Sequence, residues 1–183
     1  MKFHKTKLDG LLIIDLELRE DSRGYFARSF CQNEFAQAGI KFDIKQMNRS
    51  LNVDKGTIRG MHFQRAPKAE AKVVTVLRGK VWDVAVDVRP DSPTFGQFEA
   101  VELDEHNKRM FYIPDGFAHG YQTLEPNTEL QYLMSEFYTP EFAGGVRWND
   151  PEIGIHWPLP NPILSDADKA RPLLKELLKA SPA

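Results

Sequence analysis

Over residues 72–78 the chain reads KVVTVLR, followed by Gly79-Lys80 and then VWDVAVDVR, in which Trp82, Val84, Val86 and Val88 alternate with Asp83, Asp87 and Arg89. A period of two marks a strand with one buried face, and two such runs across a short Gly-containing break predict a β-hairpin. The pattern continues with a turn cluster over 90–96, strands over 97–103 and 109–113, a turn at Pro114-Asp115-Gly116, and strands over 118–124 and 129–138. Short strands punctuated by Gly and Pro predict a mainly β, antiparallel sandwich or barrel rather than alternating β and α units. Helical patterns occur only at the margins. One covers 33–38 and ends at Gly39; the other covers 166–180, rich in Leu, Lys and Ala, with Pro172 bending or restarting it.

The chain has 183 residues, no internal repeat and no low-complexity segment, which predicts one domain over 1–183. A formal charge of −2 lacks the broad basic excess that nucleic-acid phosphates or anionic lipid demand, so neither is an expected partner. The lone Cys31 cannot form an intrachain disulfide, and the longest early apolar run covers only 11–14, far short of a leader or a membrane span. Together these predict a cytoplasmic protein.

The most informative local pattern is Pro114-Asp115-Gly116-Phe117-Ala118-His119, a turn that leads into a strand and throws His119 onto one face. It resembles the second conserved motif of the cupins, which implies a jelly-roll barrel. Metal-binding cupins carry H-x-H in the first motif; here that region reads Gly60-Met61-His62-Phe63-Gln64, with Glu70 and the cation Lys72 following. An amide replaces one imidazole and a positive charge stands close by, so no metal is expected. Strand alternation puts His62 with Gln64, Lys72 with Val74 and Val76, and Tyr132 with Tyr138, each set on one face of its strand. If those faces line one cavity, a base, a cation and a phenol converge. That set suits proton abstraction beside a carbonyl, with Lys72 stabilising the enolate and Tyr132 returning a proton, and it needs no redox cofactor.

The chain as a whole resembles the dTDP-4-dehydrorhamnose 3,5-epimerases. The matching stretches include Asp21-Ser22-Arg23-Gly24-Tyr25-Phe26, Gln46-Met47-Asn48, residues 57–64, 83–89 and 113–120, Ser92-Pro93-Thr94-Phe95-Gly96, Arg147-Trp148-Asn149-Asp150-Pro151, and Leu164-Ser165 to Asp168. The resemblance implies that His62 is the base, held by Asp168, that Tyr132 is the acid, and that Lys72 and His119 line the sugar site. Asp166, two residues before Asp168, competes with it as cap or partner. For the nucleotide end, the resemblance implies Arg23, Arg59, Gln46 and Asn48 as binding residues, Phe26 against the base, and a homodimer in which a neighbour contributes some of them, with Tyr138 a further substrate-binding residue. The chain departs from the family pattern at Arg28, where many members have Glu, and at Ala143 and Ala167, and those positions bear on substrate choice. A single-centre epimerase or keto-isomerase, a metal cupin using His62, Glu70 and His119, and a non-catalytic sugar-nucleotide binder are the competing readings.

Overall fold

The computed structural model describes residues 1–177. In chain order the strands are β1 (Lys2–Lys5), β2 (Leu12–Asp15), β3 (Arg19–Asp21), β4 (Gly24–Phe26), β5 (Gln46–Asn52), β6 (Ile58–Gln64), β7 (Lys72–Arg78), β8 (Lys80–Asp87), β9 (Phe98–Asp104), β10 (Arg109–Ile113), β11 (Phe117–Thr123), β12 (Thr128–Met134) and β13 (Ala143–Gly145). Helix α1 (Gln32–Gln37) precedes β5, and α2 (Asp166–Lys169) and α3 (Leu174–Leu177) follow β13. One antiparallel sheet runs β1-β2-β10-β7-β12-β5 and a second runs β13-β6-β11-β8-β9, while β3 and β4 form a separate hairpin. This is the antiparallel sandwich expected from the strand pattern, in the jelly-roll form that the resemblance of the 114–119 motif implies. Among the described residues, the C-terminal helix expected over 166–180 is broken into α2 and α3 by a stretch that contains Pro172, whose ring cannot continue a helix. Positions 178–180 of that expectation lie outside the described residues.

The expected hairpin does not form. β7 pairs with β10 and β12, β8 pairs with β9 and β11, and Gly79, at φ +78, carries the chain from one sheet into the other. A left-handed glycine serves a crossover between sheets as well as a hairpin turn, so the local sequence reads the same in both cases. The expectation of one buried face also fails. Val74, Val76, Phe111 and Leu130 of the first sheet meet Val81, Ala85, Leu103 and Phe117 of the second in the central core. The outer faces are covered as well: Val73, Met110 and Tyr112 lie under Phe35, Ile40 and Phe42, while Val84, Val86 and Ala118 lie under Val146, Ile153, Ile155 and Leu174. Asp83 and Asp87, the polar half of the β8 alternation, are therefore fully buried.

Asp87 is satisfied by the loop that follows it, accepting hydrogen bonds from Arg89, Ser92 and Thr94. Burial pushes its carboxyl up, but these donors outweigh burial and hold it at about 2. A depressed carboxylate stabilises the fold above its unfolded value and loses that contribution as pH falls through the folded one. Asp87→Asn is expected to melt earlier at neutral pH and to lose less stability than the parent between about pH 4 and 2. Thermal melts across that range check this; parallel curves for the two proteins would refute it.

Candidate active site

A cavity of about 310 Å³ opens between the two sheets. The six-stranded sheet contributes Asn48 and Ser50 from β5, Lys72 from β7 and Tyr132 from β12; the five-stranded sheet contributes Arg59 and His62 from β6, with His119 and Tyr121 from β11. His62 and Tyr132 thus stand on opposing walls. Sheet register sets the rest: His119 is the direct cross-strand partner of His62, and Tyr132 is opposite Val74, which shares a face with Lys72.

Strict alternation would put Arg59 and His62 on opposite faces of β6, yet both line the cavity. The pairing with β11 shifts here: His119 faces His62, while Tyr121 faces Arg59, so the bulged strand turns both side chains inward. The bulge depends on two glycines. A Cβ on Gly60, at φ +133, would lie 2.5 Å from the Gly120 Cα, and a Cβ on Gly120 would lie 2.8 Å from the Arg59 carbonyl. Gly120→Ala is expected to cost about 1–3 kcal/mol through overpacking. It should lower Tm by roughly 2–4 °C for each kcal/mol and displace His62 from its partner. A melt paired with a turnover assay checks this, and unchanged values in both would refute it.

His62 Nε2 lies 2.6 Å from Asp168 Oδ1. The Ser165 Oγ caps α2 by accepting from the Asp168 amide, which places the Asp168 carboxylate over β6; Asp166 instead points outward to Lys169. The competition between the two aspartates is thereby settled by the cap. Burial pushes the Asp168 carboxyl up, but the His62 hydrogen bond and charge, Ser165 and the Gly60 amide outweigh it and keep the group below the ordinary value. An ionised carboxylate on Nε2–H leaves the Nδ1 lone pair as the basic one and stabilises the imidazolium formed when it takes a proton.

Lys72 Nζ is 3.0 Å from Glu70, and both side chains are nearly buried. His119 Nε2 is 2.8 Å from Asp83 Oδ1. Burial raises the Asp83 carboxyl against the opposing pull of His119 and Lys72. Burial also drives the Tyr132 phenol well above its ordinary value, Tyr121 beside it acts in the same direction, and the Ser50 hydrogen bond opposes them. Gln64 is bound to backbone, donating to the Lys68 and Phe137 carbonyls and accepting from the Thr139 amide. Among the described residues no group of three or more His, Cys, Asp and Glu side chains is placed to hold a metal ion.

The other sequence-derived candidates lie outside the cavity. Arg23 and Phe26 sit on the β3–β4 hairpin, where Phe26 is 66% exposed and Arg23 pairs with Asp21. Arg28 pairs with Glu34 of α1. Gln46 bridges Asn48 and the Tyr138 amide, and Tyr138 falls after β12 ends at Met134, so it does not share a strand face with Tyr132. The strand stops early because the chain turns away to enter the Pro140–Phe142 turn and β13. Ser50 and Tyr121 went unrecognised in the sequence. The signal was there: Ser50 shares the parity of Gln46 and Asn48, and Tyr121 that of His119.

The family model described as dTDP-4-dehydrorhamnose 3,5-epimerase matches residues 5–176. A dTDP-4-dehydrorhamnose 3,5-epimerase of Methanothermobacter thermautotrophicus is 43% identical over 178 residues, 96% of this chain and 95% of that one. The crystal structure of a Legionella pneumophila dTDP-6-deoxy-D-glucose-3,5-epimerase in complex with dTDP-4-keto-L-rhamnose superposes with a TM-score of 0.90 at 40% identity, covering 95% of this chain and 93% of that one. A 3′-monoepimerase of Streptomyces bikiniensis in complex with dTDP-quinovose gives 0.91 at 34%, covering 98% and 92%. With its jelly roll, its cavity between sheets and these relatives matched nearly end to end, the chain belongs to the dTDP-4-dehydrorhamnose 3,5-epimerase family.

Proposed function

We propose that the whole chain, residues 1–183, acts as one epimerase domain that converts dTDP-4-dehydro-6-deoxyglucose to dTDP-4-dehydrorhamnose. The observation that carries this reading is the His62–Asp168 pair facing Tyr132 across one cavity, with Lys72 on the Tyr132 wall. His62 takes the proton from a carbon beside the keto group, Lys72 stabilises the enolate oxygen, and Tyr132 delivers a proton from the opposite wall, inverting the centre. A second round at the other flanking carbon completes the reaction. His119 and Tyr138 border the sugar, while Arg59, Gln46 and Asn48 take the nucleotide end. Only protons move, so the reading needs no cofactor. The lone Cys31 and an activated-sugar substrate favour the cytoplasm; no helix among the described residues is long and apolar enough to cross a membrane. The reading is tested by NMR with dTDP-4-keto-6-deoxyglucose in heavy water. Deuterium entering both carbons beside the carbonyl, with the rhamno product, is expected. Exchange at one carbon would make the protein a single-centre epimerase, and none at either would refute epimerisation of this sugar.

A homodimer completes the nucleotide site in this proposal. Support comes from the β3–β4 hairpin, which among the described residues pairs only with itself and exposes Tyr25 and Phe26, and from edge strand β5, which exposes Met47 and Leu51 on its outer face. Arg23, Phe26 and Arg28, all outside the cavity of their own chain, reach the partner's nucleotide. Mixing Arg23→Ala with His62→Ala protein is expected to restore turnover, because hybrid dimers would hold one site with both residues intact. A mixture as inactive as its parts, or a monomer by light scattering, would count against the dimer.

A further inference from the structure

From Tyr132 a chain of hydroxyls runs across to the five-stranded sheet, and the proton-transfer scheme leaves it without a role. Ser50 Oγ lies 3.0 Å from the Tyr132 hydroxyl and 3.2 Å from the Tyr121 hydroxyl. Tyr121, only 2% exposed, donates in turn to Asn52 Oδ1 at 3.3 Å, and that oxygen also accepts from Arg59 Nε at 2.7 Å. Asn52 is itself buried and anchored through its amide to the Thr128 carbonyl. Three strands, β5, β11 and β12, converge to build this line, and Ser50 bonds to both phenols.

We infer that Ser50 and Tyr121 are positioning residues that make Tyr132 able to lose its proton, by reversing the direction of their hydrogen bonds when the tyrosinate forms. The inference rests on the proposed role of Tyr132 as the acid. In the resting arrangement Tyr121 donates to Asn52, and Ser50 donates to Tyr121. The Tyr132 O–H remains directed at Ser50 or at substrate. When Tyr132 gives its proton to the enolate carbon, the new C–H bond forms as the phenol O–H breaks, and a negative oxygen is left in a largely dry wall. Rotation of two hydroxyls then turns Ser50 Oγ–H onto Tyr132 and Tyr121 Oη–H onto Ser50. No heavy atom moves. Asn52 Oδ1 keeps the Arg59 donor when Tyr121 turns away, so no buried acceptor is orphaned. The proton lost to the sugar is replaced from solvent at the end of the cycle, as His62 releases the one it took.

Burial aside, Tyr121 raises the Tyr132 phenol and the Ser50 hydrogen bond lowers it. Turned to Asn52, Tyr121 shows Ser50 only lone pairs and opposes charge on Tyr132; turned to Ser50, it supports that charge. Hydrogen bonds to a charged oxygen are the strong ones, and removing one in a buried site costs about 10–100-fold in an equilibrium or rate that depends on it.

The test compares the full-length protein with Tyr121→Phe, Ser50→Ala and Ser50→Thr, using dTDP-4-keto-6-deoxyglucose in heavy water. Two rates are read: deuterium appearing in recovered, unepimerised substrate, which reports removal and return by His62 alone, and formation of epimerised product, which needs Tyr132. Tyr121→Phe and Ser50→Ala are expected to lower product formation about 10–100-fold while exchange stays within about 3-fold. Ser50→Thr, which keeps the hydroxyl, should restore the parental ratio. Equal loss of both rates, or an unchanged ratio in Tyr121→Phe, overturns the relay. Tyr132→Phe separates the two layers of the argument. If it changes the ratio and Tyr121→Phe does not, the relay alone fails; if it leaves the ratio untouched, the acid assignment fails and the relay with it.

Discussion

Replacing His62 by Ala is expected to lower turnover by about 10²–10⁴-fold, and to lower solvent exchange into the substrate by the same factor. The equality is the informative part. Exchange and epimerisation both begin with removal of a proton beside the carbonyl, so loss of the base stops both, whereas loss of any group acting later separates them. His62 is poised for that first step by a short bond from Nε2 to Asp168, whose carboxylate stays ionised below its ordinary range. Asp168→Asn tests the pairing without emptying the site. An amide at that place can donate to Nε2, which would force the ring proton onto Nδ1 and remove the basic lone pair from the cavity side. The expected loss approaches that of His62→Ala, with the melting temperature little changed. An Asp168→Asn protein with parental exchange would show that the dyad is structural only.

Lys72→Met is expected to reduce exchange and turnover by about 10²–10³-fold, since a developing enolate oxygen loses the cation on the Tyr132 wall in a low-dielectric site. This variant also changes stability. Lys72 and Glu70 are buried together, and removing one member leaves a buried carboxylate without its counter-charge, at a cost of about 3–5 kcal/mol. Activity loss through unfolding and activity loss through chemistry would then be confounded. The double variant Lys72→Met with Glu70→Gln resolves this, because a neutral pair of similar volume can be accommodated at little net cost. It is expected to melt near the parent and to stay inactive. Recovery of turnover in the double variant would mean that Lys72 serves Glu70 and not the substrate.

Much of this site was legible in the sequence because strand alternation is a strong constraint wherever a face is buried. The parity of β6, β7 and β11 places His62, Lys72 and His119 inward, as the sequence pattern indicates, and the Pro114-Asp115-Gly116 turn starts β11 where expected. Alternation fails where pairing is irregular. Arg59 joins His62 only through the bulge at Gly60, and Tyr138 leaves the face of Tyr132 because β12 ends first. Polarity also misleads where both faces of a sheet are covered: Asp83 and Asp87 read as solvent-facing in an isolated two-faced strand, yet the sandwich interior, where Asp83 meets His119, and the Arg89 loop bury them.

The sequence by itself determined the antiparallel, mainly β class and the marginal helices, and it singled out His62, Lys72 and Tyr132 as candidates, because these follow from residue chemistry and from a period of two that survives any arrangement of the strands. Tertiary structure alone decided the partners. It separated β7 from β8 across the sandwich, brought Asp168 over His62 from 106 residues away, chose it over Asp166 through the Ser165 cap, and lined up Tyr132, Ser50 and Tyr121 from three strands. Such pairings depend on which strands become neighbours and in what register, and that is set by burying all the apolar faces at once, a condition no single segment carries.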